Sequence, residues 1–255
     1  MILAQRRETI RQILLEKKSV SVANLSEMLN VSGETIRRDL DALSDEGFCK
    51  KNYGGATLNL RNTSLISQSS KRALLQAEKQ MIAHQAAQFI RPNDCIFLDY
   101  ATTTNAICPL IHELPLTVVT NSLSIAHDLV DSKNIQLILT GGKFKHLEMG
   151  LFGPDAEAFI RAHYVDKAFF SPHGLDPVKG IFDATDYTAN LHRLVLENSN
   201  ERYLLADHTK MCHCGFANVT DNYRCLTALI TDKPLNAQWQ QTLSDQSVDF
   251  CWKEI

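Results

Sequence analysis

The sequence predicts an α/β chain in two parts: a small N-terminal winged helix-turn-helix, then a larger, mostly parallel α/β domain. Three observations carry that prediction. Within the first sixty residues, short amphipathic helices are separated by brief breaks and followed by two short strands around Gly54-Gly55. Beyond residue 90, near-continuous apolar runs of strand length alternate with helical patterns, as in a parallel sheet covered on both faces. Between the two parts, Asn59 to Ser70 has no sustained period and is rich in Ser and Asn, which reads as a linker. The expected domains are therefore 1–58, a linker over 59–70, and 71–255.

Composition bounds the function. A chain of 255 residues with 44% hydrophobic content has ample material for a core. It contains no run of about 18 apolar residues, so no transmembrane helix is expected. The N-terminus turns charged at Arg6-Arg7 and lacks a signal peptide's apolar region, so a cytoplasmic location and no membrane partner are expected. Net charge is -3, but residues 1–60 hold nine Lys/Arg and eight Asp/Glu, +1, leaving -4 for the rest. A weakly cationic small domain binds DNA if its cations cluster on one face. Seven scattered cysteines do not suggest a disulfide framework in a reducing compartment.

In order along the chain, Leu3 to Lys17 reads as a helix with Ile10, Ile13 and Leu14 inward and Arg6, Arg7 and Arg11 elsewhere. A break at Lys18-Ser19-Val20-Ser21 precedes a second helix, Val22 to Leu29, with Leu25, Met28 and Leu29 inward. After the Asn30-Val31 turn, Ser32 is suited to cap a third helix, because its hydroxyl accepts a bond from a first-turn amide. Ile36, Leu40 and Leu43 form that helix's buried stripe, which leaves Thr35, Arg37 and Arg38 free to enter a major groove. Glu46-Gly47 ends the helix, and Phe48 to Leu58 reads as a hairpin. Its Lys50 and Lys51 suit phosphate oxygens, and Gly54-Gly55 permits a tight turn or close approach to a sugar-phosphate backbone. Singly, each charged pair is what any solvated helix face shows; helix spacing, cations and wing together point to DNA.

Val20-Ser21-Val22, Leu25, Leu29-Asn30-Val31-Ser32, Thr35-Ile36-Arg37-Arg38-Asp39-Leu40, Leu43, Gly47 and Tyr53-Gly54-Gly55-Ala56 together resemble the N-terminal winged helix of the DeoR family of bacterial sugar-metabolism repressors. Members usually carry His where Tyr53 stands; the tyrosine keeps an aromatic ring able to donate a hydrogen bond. The candidate DNA-binding residues are Ser21, Ser32, Thr35, Arg37, Arg38, Lys50, Lys51, Tyr53, Gly54 and Gly55. The partner implied is double-stranded operator DNA with repeated or palindromic half-sites, bound by a homodimer or homotetramer.

After the linker, Lys71 to Ile90 is expected to be one long helix. Strands are expected at Cys95–Asp99, Leu116–Thr120, Ile135–Leu139, Val165–Phe170, Arg202–Ala206 and Leu226–Ile230, with a helical stretch over Asn105–His112 among others. In such sheets ligands bind beyond the carboxyl ends of the strands, which is where this chain turns polar. The loops are Asp99-Tyr100-Ala101-Thr102-Thr103-Thr104, Thr120-Asn121-Ser122, Gly141-Gly142-Lys143, Gly174-Leu175-Asp176 and Asp207-His208-Thr209-Lys210. A helix start rich in hydroxyls and amides suits a phosphate. Any one of these loops has a bland reading as a helix cap or turn; five at successive strand ends do not.

Glu78-Lys79, Leu98-Asp99, Thr102-Thr103-Thr104, Val119-Thr120-Asn121-Ser122-Leu123, Gly141-Gly142, Gly153, Gly174, Asp176, Ala206-Asp207, Lys210 and Ile230-Thr231-Asp232 resemble the DeoR effector domain. That domain is similar to ribose-5-phosphate isomerase and usually binds a phosphorylated sugar or intermediate. The resemblance implies Thr102, Thr103 and Thr104 for phosphate, Asn121 and Gly141-Gly142 as pocket loops, Asp176 for sugar hydroxyls and Lys210 as a cation; Asp99, Ala101, Ser122, Lys143 and Gly174 complete the candidate set. Ala101 stands where the family has glycine. If that position needs positive φ, alanine costs on the order of 1 kcal/mol and reshapes the loop. Residues 177–192 also depart from the family pattern.

His208, Cys212, His213 and Cys214 fall close together but lack the distant second pair of a structural zinc site, so no metal and no cofactor are expected. The rival reading is a sugar-phosphate isomerase with an accessory DNA-binding domain, which needs a carboxylate base such as Asp99, Asp176 or Asp207. A third reading, an architectural DNA-binding protein whose second half only oligomerises, leaves the polar loops without purpose.

Overall fold

The computed structural model describes residues 3–59 and 68–252. The chain divides into two compact units, one ending at Leu74 and the other beginning at Leu75.

The first unit contains α1 (Leu3–Lys17), β1 (Ser19–Ser21), α2 (Val22–Leu29), α3 (Gly33–Asp45), β2 (Cys49–Asn52), β3 (Gly55–Leu58) and α4 (Gln68–Ala73). Ser21 and Ser32 start α2 and α3 by accepting bonds from Asn24 N and Thr35 N, and Asn30, at φ 50°, ends α2 in the left-handed region. Ile10, Leu14, Leu25, Ile36, Leu40, Leu43 and Phe48 form the core. The expected break before α2 is instead a strand: β1 pairs antiparallel with β3, so the wing is a three-stranded sheet in the order β1-β3-β2. Met28 is 54% exposed rather than inward. At about 100° per residue, Val22 and Leu29 fall to one side of Leu25 and Met28 falls about 60° to the other, off the face that packs.

The second unit contains α5 (Gln76–Ala87), β4 (Cys95–Leu98), α6 (Thr102–Asn105), α7 (Cys108–Ile111), β5 (Leu116–Thr120), α8 (Leu123–Leu129), β6 (Ile135–Leu139), β7 (Lys143–Lys145), β8 (Gly150–Phe152), α9 (Pro154–Ala162) and β9 (Val165–Phe170). It continues with β10 (Gly174–Asp176), β11 (Gly180–Asp183), α10 (Asp186–Glu197), β12 (Ser199–Ala206), β13 (Ala217–Thr220), β14 (Ala228–Thr231), α11 (Ala237–Asp245) and β15 (Asp249–Cys251). Seven strands form one sheet in the order β15-β14-β12-β9-β4-β5-β6, every pair parallel. Both faces are apolar because neighbours along a strand face opposite ways. Leu98, Val118, Phe169 and Leu205 join one cluster, while Phe97, Val119, Ala168, Phe170 and Leu204 join clusters on the other side. From β4 the chain builds outward through β5 and β6, then returns to β9 on the opposite flank of β4. The order of winding therefore reverses between β4 and β9, which opens a crevice at their carboxyl ends. Two antiparallel additions, β10-β11-β13 and the β7–β8 hairpin, supplement the sheet.

Two expected helices are broken. Lys71 to Ile90 is not continuous: α4 stops at Ala73, Leu75 takes φ 52°, and α5 begins at Gln76. Leu74 belongs to the first unit's core and Leu75 to the second unit, so the chain turns where it changes cores. Asn105 to His112 holds the last residue of α6, a break, and then the whole of α7. Of the expected linker, residues 60–67 lie outside the described residues, and Gln68 to Ser70 is already helical.

Candidate functional site

Two surfaces carry the predicted residues, one on each unit. On the first, the Ser32 hydroxyl accepts from Thr35 N at 3.2 Å and lies 2.9 Å from Thr35 Oγ1, fixing the start of α3. One turn on, Arg37 and Arg38 stand out from the helix with side chains 60% and 78% exposed. Both reach back to Glu34: Arg37 Nη1 lies 3.5 Å from Oε2, and Arg38 Nε 3.5 Å from Oε1. On the wing, Lys50 is exposed and Lys51 pairs with Asp41 of α3. Tyr53 is fully exposed at the tip, beside Gly54 at φ 83°. Gly55 lies against β1, where a Cβ would stand 2.0 Å from Val20 O. The Ser21 hydroxyl is engaged in capping α2. Sequence reasoning passed over Asp39. This buried carboxylate accepts from Arg6 Nε at 2.5 Å and Arg7 Nε at 3.1 Å, tying α1 to α3. The signal was available, since an acid at a position flanking the buried stripe demands a cation.

On the second unit, hydrogen bonds bring together the loops after β4, β9 and β12 at the switch point. Ala101 N donates to Asp99 Oδ1 at 3.0 Å and Ser171 N donates to Asp99 Oδ2 at 2.8 Å, so one buried carboxylate joins the loops after both strands. Ala101 has φ -70° and ψ 149°, which any residue adopts. The strain expected of alanine there is absent. Thr103 and Thr104 are turned into the protein and Thr102 is 9% exposed. What α6 offers the crevice is therefore its first-turn amides, which have no partner within a helix, more than its hydroxyls.

Behind this loop lies a group that no motif or spacing in the chain picks out. His192, on α10, is fully buried, with Nδ1 2.7 Å from Asp183 Oδ2 and Nε2 3.1 Å from Asp99 Oδ2. A carboxylate facing each ring nitrogen requires both to donate, which makes the ring an imidazolium. Burial pulls its pKa down, but Asp183 and Asp99 outweigh that and raise it from 6.5 to about 10. Asp183 Oδ1 also accepts from His173 N at 3.2 Å. One ring thus joins the loops after β4 and β9 to β11 and α10.

Lys210, following β12, donates to Ser171 Oγ at 2.6 Å. Burial lowers its pKa, opposed by Asp207, Asp99 and Asp183. Tyr100 is pushed well above its ordinary value by burial, with Asp183 and Asp99 adding to the effect. Asn121 donates from Nδ2 to Leu151 O, and Ser122 caps α8, so both help hold the β7–β8 hairpin and α8 at the crevice. Two buried oxygens in these loops, Thr104 Oγ1 and Asn121 Oδ1, have no hydrogen-bond partner. Gly141 and Gly142 take φ 74° and 112°, and Lys143, exposed, opens β7. Gly174 admits the His213 backbone, whose oxygen would lie 2.2 Å from a Cβ. Asp176 Oδ1 accepts from Val178 N and Lys179 N and so fastens the β10–β11 turn. In the cluster on either side of Lys210, His208 Nδ1 lies 2.6 Å from Asp232 Oδ2, His213 Nε2 lies 3.1 Å from His173 Nε2, and Cys212 and Cys214 are exposed thiols. Among the described residues no three His, Cys, Asp or Glu side chains are grouped to hold a metal ion.

A winged helix-turn-helix followed by a doubly wound α/β unit is the pairing of a DNA-binding regulator with its own sensor domain. Residues 6–62 match the DeoR-like helix-turn-helix domain and residues 75–233 the DeoR C terminal sensor domain. The chain belongs to the DeoR family of transcriptional regulators. It is 33% identical over 248 residues to the HTH-type transcriptional regulator YulB of Bacillus subtilis (strain 168), covering 97% of this chain and 96% of that protein. It is 27% identical over 247 residues to the glycerol-3-phosphate regulon repressor of Escherichia coli (strain K12), covering 96% and 97%. Among solved structures, ribose 5-phosphate isomerase A of Methanocaldococcus jannaschii aligns with a TM-score of 0.40 and 15% identity over 53% of this chain and 54% of that one. Among the described residues no helix is long and apolar enough to cross a membrane.

Proposed function

We propose that this protein represses a carbohydrate-utilisation operon and that a phosphorylated sugar or related metabolite, bound at the β4–β9 crevice, controls it. The observation that carries the effector reading is the joining of three strand-end loops: Lys210 bonds Ser171, whose amide shares the Asp99 carboxylate with Ala101 at the start of α6. Lys210 supplies the cation and α6 the amides for a phosphoryl group, as α6 begins where β4 ends. Arg37, Arg38 and Thr35 contact the major groove, with Lys50, Lys51, Tyr53 and Gly54 seating the wing on the backbone. Repeated half-sites call for a dimer or tetramer. Effector and operator then oppose each other by one reciprocal factor.

Catalytic turnover does not enter this reading. Asp99, the carboxylate at the centre of the site, is bonded to His192 and two backbone amides and so holds the loops together.

The test is a thermal-shift screen of the full chain against sugar phosphates and their unphosphorylated counterparts, with Lys210→Ala in parallel. A ligand that binds only the folded state raises the melting temperature by mass action. Hits confined to phosphorylated compounds and lost in Lys210→Ala support the site. Hits that survive Lys210→Ala place the pocket elsewhere.

A further inference from the structure

The surface that α3 and the wing present offsets part of its own positive charge. Arg37 and Arg38 share Glu34, and Lys51 pairs with Asp41. Residues 1–60 carry only +1. A protein that relied on cations alone to hold DNA would have no use for a carboxylate shared by two exposed arginines. Glu34 is itself 63% exposed and lies at the second position of α3, so it enters the groove with them.

Glu34 does little for the fold. A first-turn acid favours the positive end of the helix, but exposed i,i+3 and i,i+4 pairs contribute only slightly to stability. Its larger effect falls on binding. Any duplex attracts Arg37 and Arg38 through its phosphates, and that sequence-independent attraction dominates non-specific affinity. To respond, the arginines must leave Glu34, and its charge is then carried unpaired among phosphates. Only a duplex whose base edges reward the arginines offsets that penalty.

We propose that Glu34 is a specificity-determining residue, whose carboxylate competes with DNA phosphates for Arg37 and Arg38 and so suppresses binding to non-operator sequence. The proposal rests on the reading that these two arginines contact DNA, and the experiment separates the two.

The full chain, as wild type and as Glu34→Gln, Arg37→Ala/Arg38→Ala and the triple variant, is titrated by fluorescence anisotropy across a range of salt. The probes are a mixed-sequence duplex and a duplex selected by the wild type from a random library. Glu34→Gln should bind the mixed duplex about tenfold more tightly, with a salt slope steeper by about one. It should gain less on the selected duplex, so the ratio between them falls. In the Arg37→Ala/Arg38→Ala background the same substitution should gain nothing, a coupling that a purely structural role does not produce. Melting temperatures of Glu34→Gln and wild type should agree. Unchanged affinity and slope in Glu34→Gln, where the arginine variant weakens binding, overturn the proposal alone. A loss confined to the selected duplex also overturns it, in favour of Glu34 accepting from a cytosine amino group. If the arginine variant binds both duplexes as the wild type does, the groove reading falls and the proposal with it.

Discussion

His192 Nδ1 and Asp183 Oδ2 lie 2.7 Å apart with both side chains wholly excluded from water, and Asp99 closes the other side of the same ring. Replacing His192 by Ala leaves two buried carboxylates facing a void. Breaking a buried pair by removing one partner costs about 3–5 kcal/mol. Urea denaturation should show that loss in the second unit's transition; a loss below about 1 kcal/mol would mean that water enters and replaces the ring.

The same group gives stability a pH dependence. Its pKa is about 10 when folded and 6.5 as an ordinary histidine, so the folded state holds a proton that the unfolded state releases. The contribution is complete below pH 6.5 and is lost as pH rises towards 10. The difference in melting temperature between wild type and His192→Asn should shrink steadily over that range. A difference that stays flat would show that the ring is neutral in the folded protein.

Asp39 predicts a coupling between fold and operator binding. Asp39→Ala leaves Arg6 and Arg7 without their shared carboxylate and should cost about 3 kcal/mol in the first unit. DNA affinity should fall with it, because α1 no longer braces α3. Normal DNA binding by a destabilised Asp39→Ala protein would separate the brace from the reading surface.

Gly55→Ala places a Cβ 2.0 Å from Val20 O and forces β1 and β3 apart. A cost of about 1–3 kcal/mol is expected, as for other overpacked sites. Titration with duplex DNA should show weakened binding, while the second unit melts as before. Gly54→Ala meets no atom within 4 Å and bears only the strain of φ 83°, about 1 kcal/mol. It should bind DNA better than Gly55→Ala does.

Much was legible in the chain because the relevant physics is local. Ser32 followed by Ile36, Leu40 and Leu43 specifies a capped helix with one buried stripe, and the hydrophobic strands from Cys95 onward specify a sheet covered on both faces. Periodicity could not show β1, whose three residues become a strand only because β3 pairs with them. Nor could it divide the expected Lys71–Ile90 helix, since Leu74 and Leu75 are equally apolar and differ in which unit they belong to.

The sequence by itself determined the two-part architecture, the Ser32-capped helix and the strand-end loops, because side-chain period and capping chemistry act within a few residues. Only the tertiary structure decided which polar groups work together. Asp99 and His192 are 93 residues apart, Asp39 and Arg6 33, and neither pair leaves a periodic trace. Each carboxylate ended in a place without water and so required a proton donor, and the fold alone determined which donor came within reach.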